Sequence, residues 1–358
     1  MIIDRFFFQP WNIVFLSDFL IFDTLKSMAK KRILTGDRPT GKLHLGHFVG
    51  TLKNRVKLQD KYETFIIIAD YHALTTKPSK DDIFLFEQNI KEMVLDYLSV
   101  GLDPKKVTFY RQSDVPDVTE LFLIFLMLVS VPRAQRIPTL KDVMRDLGIK
   151  QPSMGLLSYP ILQAADILIV KGDLVPVGKD QESHVELARE VARTFNKTYR
   201  EVFPEPKALI GDYPTLPGTD GKAKMSKSVG NTIYLSDSKG QVEKKVMGMY
   251  TDPKRVHATD PGKVEGNPVF IYLDNFGKDK DKIKEYQKLY KEGKVGDMEV
   301  KKYLAEVLNR FLDPIRKKRV ELSNNKDLVK SLLEEGRKKV QKESKVTIKQ
   351  TKEAMGLR

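Results

Sequence analysis

Residues 65–69 read Phe-Ile-Ile-Ile-Ala, five apolar positions with no polar alternation. A strand with one wet face alternates apolar and polar residues. An unbroken β-branched and aromatic run marks a strand covered on both faces, as in parallel sheets flanked by helices. The rest of the first two thirds fits that frame. Residues 32–35 form a short apolar strand ending in the turn 36–41, residues 107–110 a third strand, and the apolar run 167–170 is read as a further one, with a turn at 175–179. Helical patterns lie between them: one through about Gln59 with Leu45, Phe48, Val49 and Leu52 on one face, one over about 81–100 that stops at Gly101, one at 119–130 and one over about 181–195. Strands alternating with helices predict an α/β fold with a doubly wound, Rossmann-like parallel sheet. After about Ser236 the strand patterns stop and Lys/Glu-rich helix follows. There is no repeat and no low-complexity tract.

Composition narrows the class. The 358 residues include no Cys, which excludes a disulfide scaffold, a Cys-ligated zinc site and a cysteine nucleophile. A hydrophobic fraction of 41% excludes wholesale disorder. The most apolar stretch, 121–131, has eleven uncharged residues, where a membrane-spanning helix needs about 20. It reads as a buried helix, and a cytoplasmic location without membrane partners is expected. The first 27 residues carry Phe6, Phe7 and Phe8 and two further apolar runs, broken by Asp18 and Asp23. They fit neither a secretory signal nor an Arg-rich transit peptide. We expect a leader outside the fold, with the working protein starting at Met28.

The charge is uneven. From Lys278 onward there are 24 Lys and Arg against 14 Asp and Glu, a net of +10, which leaves +4 of the chain's +14 for the first 277 residues. A basic C-terminal third suits a polyanionic partner, because neutralising phosphates releases counterions. A solvated helical surface of interspersed Lys and Glu accounts for the same composition.

The segment 36–47, Gly-Asp-Arg-Pro-Thr-Gly-Lys-Leu-His-Leu-Gly-His, follows the first strand and runs into the first helix. In open α/β sheets ligands bind at that edge. Gly36, Gly41 and Gly46 permit close backbone approach, and a helix N-terminus offers N–H groups to phosphate. His44 and His47 add donors on one helix face. As a metal pair they lack a third ligand nearby, so no resident metal is expected. A P-loop is absent too, since Gly-Lys-Ser/Thr is missing. A second constellation, Lys224-Met225-Ser226-Lys227-Ser228, lies among Gly218, Gly221 and Gly230. Two lysines on such a loop can close over a phosphate and stabilise charge developing in a transition state.

The ordered pair resembles the two signatures of class I aminoacyl-tRNA synthetases, here His44-Leu45-Gly46-His47 and the full Lys-Met-Ser-Lys-Ser at 224–228. The turn 36–41, Tyr159-Pro160, Gln163-Ala-Ala-Asp166-Ile167, the run 175–181 and Ala354-Met-Gly-Leu357 resemble the bacterial-type tryptophanyl branch. The resemblance covers roughly 30–358. It implies that an amino acid attacks the α-phosphate of Mg²⁺-bound ATP, pyrophosphate leaves, and the acyl group passes to the 3′ end of its cognate tRNA. The amino acid's carboxylate is the nucleophile, so catalysis is positioning and charge stabilisation. His44, His47, Lys224 and Lys227 are the implied catalytic residues. Arg38, Pro39, Thr40, Gly46, Gly178, Lys179, Asp180, Leu216, Met225, Ser226 and Ser228 join them around ATP.

Tyr159, Gln163 and Asp166 fall at i, i+4 and i+7, one helix face. That face either packs against the sheet or forms a pocket wall. By the resemblance they contact tryptophan together with Val177 and Gln181, and Asp166 accepts the indole N–H. A Gln-x-x-Asp pair is also similar to the tyrosine-specific relatives, so tyrosine is the alternative substrate. The resemblance further implies a catalytic domain at 28–230, a helical anticodon-binding domain at 231–319, C-terminal helices at 320–358 folding back on the catalytic domain, and a homodimer. Residues 119–131 are either part of its interface or an internal helix.

Overall fold

The computed structural model describes residues 30–357, apart from 179–180, 211–214, 223, 228, 253–254, 256 and 258. The leader expected at 1–27 lies outside the described residues, as do Lys179, Asp180 and Ser228. Residues from Arg32 onward form one compact unit.

Five strands, β1 (Arg32–Asp37), β2 (Glu63–Ile68), β3 (Val107–Arg111), β4 (Leu174–Val177) and β5 (Lys207–Ile210), make one sheet in the order β3-β2-β1-β4-β5. Every pairing is parallel. This is the doubly wound sheet, and the order reverses between β1 and β4. β2 lies beside β1 in the centre and buries five of its six residues, as its unbroken apolar run requires.

One strand reading is corrected and one strand is added. The run 167–170 is the end of a helix, Met154–Ile169, and the strand is Leu174–Val177. A four-residue apolar run is the same for a buried helix end and a strand; Lys171, with φ of 52°, and Gly172 turn the chain between the two. β5 gave no distinct sequence signal, because its apolar run is only Ala208 to Ile210; it is a short edge strand with all four residues partly or fully exposed. The pattern over 81–100 is two helices, Lys80–Phe84 and Phe86–Ser99.

The helical stretch after β1 runs through Leu45–His47, a π-type segment Phe48–Leu52 and Lys53–Leu58. Helix Asp117–Leu126 buries Leu121 and Phe125, whereas Leu123 and the following Met127 stand exposed. After β5, helices Lys239–Met247, Pro268–Phe276, Lys280–Lys291, Asp297–Ser323 and Leu328–Met355 follow without a further strand among the described residues. They have no separate core. Ile66, Ile68 and Phe109 on one sheet face share an apolar cluster with Phe270, Leu304 and Leu308 of these helices. The last helix also lies across β3, where Gly336 sits against the Phe109 carbonyl.

Candidate active site

A cavity of about 400 Å³ opens at the strand-order reversal, between the carboxyl ends of β1 and β4, where α/β sheets bind ligands. Gly36, Asp37 and Arg38 line it from the β1 end, Val175–Gly178 from β4, and Tyr159, Gln163 and Asp166 from the helix Met154–Ile169. Gln181 completes the wall. The face carrying Tyr159, Gln163 and Asp166 is therefore a pocket wall.

Asp166 is buried, and both its oxygens are held. Gln112 Nε2 donates to Oδ1 and Oδ2 at 2.9 Å each, and His72 Nε2 lies 2.9 Å from Oδ2. Burial raises its pKa above the ordinary carboxylate value, with His72 and Gln112 opposing that rise. Gln112 follows β3 and His72 lies on the short helix after β2, so the ends of two neighbouring strands converge on one carboxylate of the helix before β4. Asp70 fixes the same corner by accepting from the Ser113 N–H and hydroxyl at 3.0 and 2.5 Å. At the other wall the Tyr159 hydroxyl lies 3.0 Å from His184 Nε2 and 3.1 Å from Thr139 Oγ1. Sequence reasoning missed His72, Gln112, Thr139 and His184. None sits in a motif, and only the packing of strand ends and helices around the cavity brings them together.

The two signature segments meet beside the cavity. His44 and His47 have ring centroids 3.8 Å apart. Met225 is buried against their turn, and its Sδ accepts the Gly46 N–H at 3.4 Å. A Cβ on Gly46 would approach the His44 ring at 3.0 Å and Met225 at 3.4 Å, so a glycine permits this close packing. Lys227 Nζ donates to the Gly41 carbonyl at 2.9 Å and to Thr40 Oγ1 at 3.3 Å. Lys224 is exposed, and the Ser226 N–H donates to Asn231 Oδ1 at 2.8 Å. Pro39 is buried in the turn, its carbonyl accepting from Asn89 Nδ2 at 3.1 Å. Leu216 does not line the cavity. Its side chain is in the core, and its carbonyl accepts the Met225 N–H at 3.1 Å.

Burial, with the lysines and His47 nearby, holds the His44 pKa down to about 2. Burial holds His47 at about 4, with Lys227 and Arg55 adding to the fall and Asp37 opposing it. Both imidazoles are therefore neutral at pH 7. His44 Nδ1 is buried without a hydrogen-bond partner among the described residues. Burial also lowers Lys227, to about 8, against the raising influence of Asp37 and Asp96. It keeps its proton at neutral pH. The Lys227 ammonium beside two imidazole donors suits an anionic ligand. Among the described residues no group of three His, Asp or Glu side chains is placed to hold a cation.

Behind this turn Arg55 donates to Asp37 Oδ2 at 2.6 Å and to the Gly36 carbonyl at 3.2 Å, while the Tyr97 hydroxyl donates to the same Asp37 oxygen at 2.6 Å. Burial opposes ionisation of Asp37, yet Arg55 prevails and holds its carboxyl well below the usual range.

A family profile described as "tRNA synthetases class I (W and Y)" matches residues 26–313. The chain belongs to that family. The synthetase is 52% identical over 326 residues to the tryptophan–tRNA ligase of Treponema pallidum, covering 91% of this chain and 97% of the relative. Among solved structures it is similar to the tryptophanyl-tRNA synthetase of Campylobacter jejuni complexed with ADP and tryptophan, with a TM-score of 0.80, 36% identity, and 91% and 100% of the two chains covered. The tyrosyl-tRNA synthetase of Archaeoglobus fulgidus, complexed with L-tyrosine, is similar at a TM-score of 0.61 and 26% identity over 83% of this chain and 93% of that one.

Proposed function

We propose that the synthetase is a tryptophan–tRNA ligase, and that the buried Asp166 facing the β1/β4 cavity is what selects its amino acid. A carboxylate with acceptor capacity left for an indole N–H, beyond the bonds from Gln112 and His72, is left short of one hydrogen bond when a side chain lacks that donor. Gln112 and His72 orient it, and Tyr159, Gln163, Val177 and Gln181 form the remaining walls. ATP lies beside this pocket, along Arg38, Pro39, Thr40, Gly46 and Gly178, with Lys179, Asp180 and Ser228 of the same motifs. The tryptophan carboxylate attacks the α-phosphorus, the bond to the bridging oxygen breaks, and pyrophosphate leaves. His44, His47, Lys224 and Lys227 hold the phosphate oxygens as charge shifts towards the leaving group. Mg²⁺ is carried by the ATP phosphates and water, as its octahedral preference favours. The tryptophanyl group then passes to the 3′-terminal ribose of tRNA, and AMP leaves.

The basic helices after residue 231 supply the tRNA-binding surface, with residues 28–230 as catalytic domain, 231–319 reading the anticodon and 320–358 bracing the sheet. The exposed Leu123, Met127, Val131 and Met154 are the surface for a second copy, giving a homodimer that sedimentation would detect. No described helix is long and apolar enough to cross a membrane; tRNA charging places the enzyme in the cytoplasm. The deciding experiment is ATP–pyrophosphate exchange with each of the twenty amino acids. Exchange with tryptophan alone is expected. Exchange with tyrosine alone would make Gln163 the selecting residue and overturn this assignment.

A further inference from the structure

Asp96 lies on the helix Phe86–Ser99 among buried apolar side chains and is itself 0% exposed. Burying a carboxylate there is costly unless both oxygens are bonded. Both are. Oδ2 accepts the Leu43 backbone N–H at 2.8 Å, and Oδ1 accepts from Arg319 Nε at 2.7 Å. Arg319 belongs to the helix Asp297–Ser323, 223 residues further on, and its Nη2 donates to Glu92 at 2.6 Å.

Leu43 immediately precedes His44. Its segment pairs with the chain beyond the lysine signature: Leu235 N–H donates to the Leu43 carbonyl and Leu45 N–H to the Ile233 carbonyl, each at 3.0 Å. Asp96 therefore takes the Leu43 N–H, which this pairing leaves unused. Arg316 lies one turn before Arg319 on the same helix. It donates to the Asp237 carbonyl at 3.1 Å, and Asp237 accepts the Tyr234 N–H at 2.8 Å. Two arginines on one helix thus reach both sides of the ribbon that joins the two signatures.

We propose that Asp96 and Arg319 form a positioning link through which the helix Asp297–Ser323 holds the His44–His47 turn in its reactive geometry. The proposal rests on the synthetase reading above. An apolar pair of similar volume would serve stability equally well, but it could not carry a chain of directed hydrogen bonds from that helix to the Leu43 backbone. Neither residue touches a substrate position; both act through the turn.

The test is Arg319→Met, alone and combined with His47→Ala, in the full-length chain. With His47 intact, kcat for tryptophan-dependent exchange should fall about tenfold or more, since small misplacements are costly in catalysis. The KM values for ATP and tryptophan should stay within about twofold, and Arg319→Lys should recover part of the rate. In the His47→Ala background the same substitution should cost less than about twofold. An equal fractional loss in both backgrounds, as a lower folded fraction would give, overturns the link. If Arg319→Met does not fold, Arg319→Lys is carried through the same cycle with the same criterion. Hydrogen exchange at the Leu43 amide gives a readout independent of activity. Protection there should fall in the Arg319 variant while the β1 amides keep theirs, and unchanged protection overturns the link. Absence of tryptophan-dependent exchange in the unaltered chain would overturn the functional reading, leaving the amide protection to decide the link.

Discussion

Lys227 Nζ donates to the carbonyl oxygen of Gly41 at 2.9 Å, although 186 residues separate the two. The second signature is thus docked on the first. Gly41 has φ of +110°, a conformation side-chain-bearing residues rarely adopt, which turns its carbonyl towards the loop. A phosphate bound by Lys227, as proposed, would compete with the Gly41 carbonyl for the same ammonium.

That docking sets a pH dependence. Burial lowers Lys227 to about 8, so kcat for adenylate formation should decline as pH rises through about 8 and the ammonium is lost. Lys227→Met should remove that limb and reduce kcat more than it raises the KM for ATP. The folded-state value lies below the ordinary lysine value, so the unfolded chain holds more protons between the two. The cost of burying the charge is therefore complete below pH 8 and relieved as pH rises towards about 10.4. Exchange rates from pH 6 to 9.5 on both proteins check the kinetic claim, and a Lys227→Met profile with an unchanged alkaline limb contradicts it.

Asp166→Asn keeps the volume but replaces one acceptor oxygen with a donor facing Gln112 and His72. The kcat/KM for tryptophan should fall about a hundredfold or more, with the far-ultraviolet circular dichroism unchanged, because a buried group is left wrongly paired. Undiminished tryptophan activation would sink the pocket assignment.

Asp37→Asn removes the counterion of Arg55, whose side chain is only 4% exposed. An unpaired buried guanidinium should cost about 3 kcal/mol at pH 7, read by urea denaturation. Because Arg55 lowers the folded-state pKa of Asp37, the wild-type advantage is complete above the unfolded value of about 4 and shrinks as pH falls below it. An advantage that stays constant down to acid unfolding would refute the ion pair's role.

Gly336→Ala tests the seat of the last helix. A Cβ there overlaps the Phe109 carbonyl oxygen of β3, which is backbone and cannot turn aside. Thermal denaturation should show a loss of about 2 kcal/mol or more, and an unchanged midpoint would mean that the helix is not held at this distance.

The legible part of this protein was local. The run at 65–69 marks a strand buried on both faces, and it is β2, beside the central β1. Tyr159, Gln163 and Asp166 keep a helical spacing, and they share one wall of the cavity. The run at 167–170 misled because four apolar residues suit a helix end as well as a strand. β5 was invisible because three apolar residues, Ala208 to Ile210, are too short a run to mark a strand.

The sequence by itself determined the sheet class and the two signatures, since both depend on residue types at short, fixed spacings. Only the tertiary structure decided that Gln112 and His72 hold Asp166, that Lys227 meets Gly41, and that Arg319 reaches Leu43 through Asp96. Each of these joins polar side chains to one another or to a backbone group some 50 to 220 positions away. Such contacts are fixed by how parallel strands and their crossover helices stack, and no periodicity along the chain encodes them.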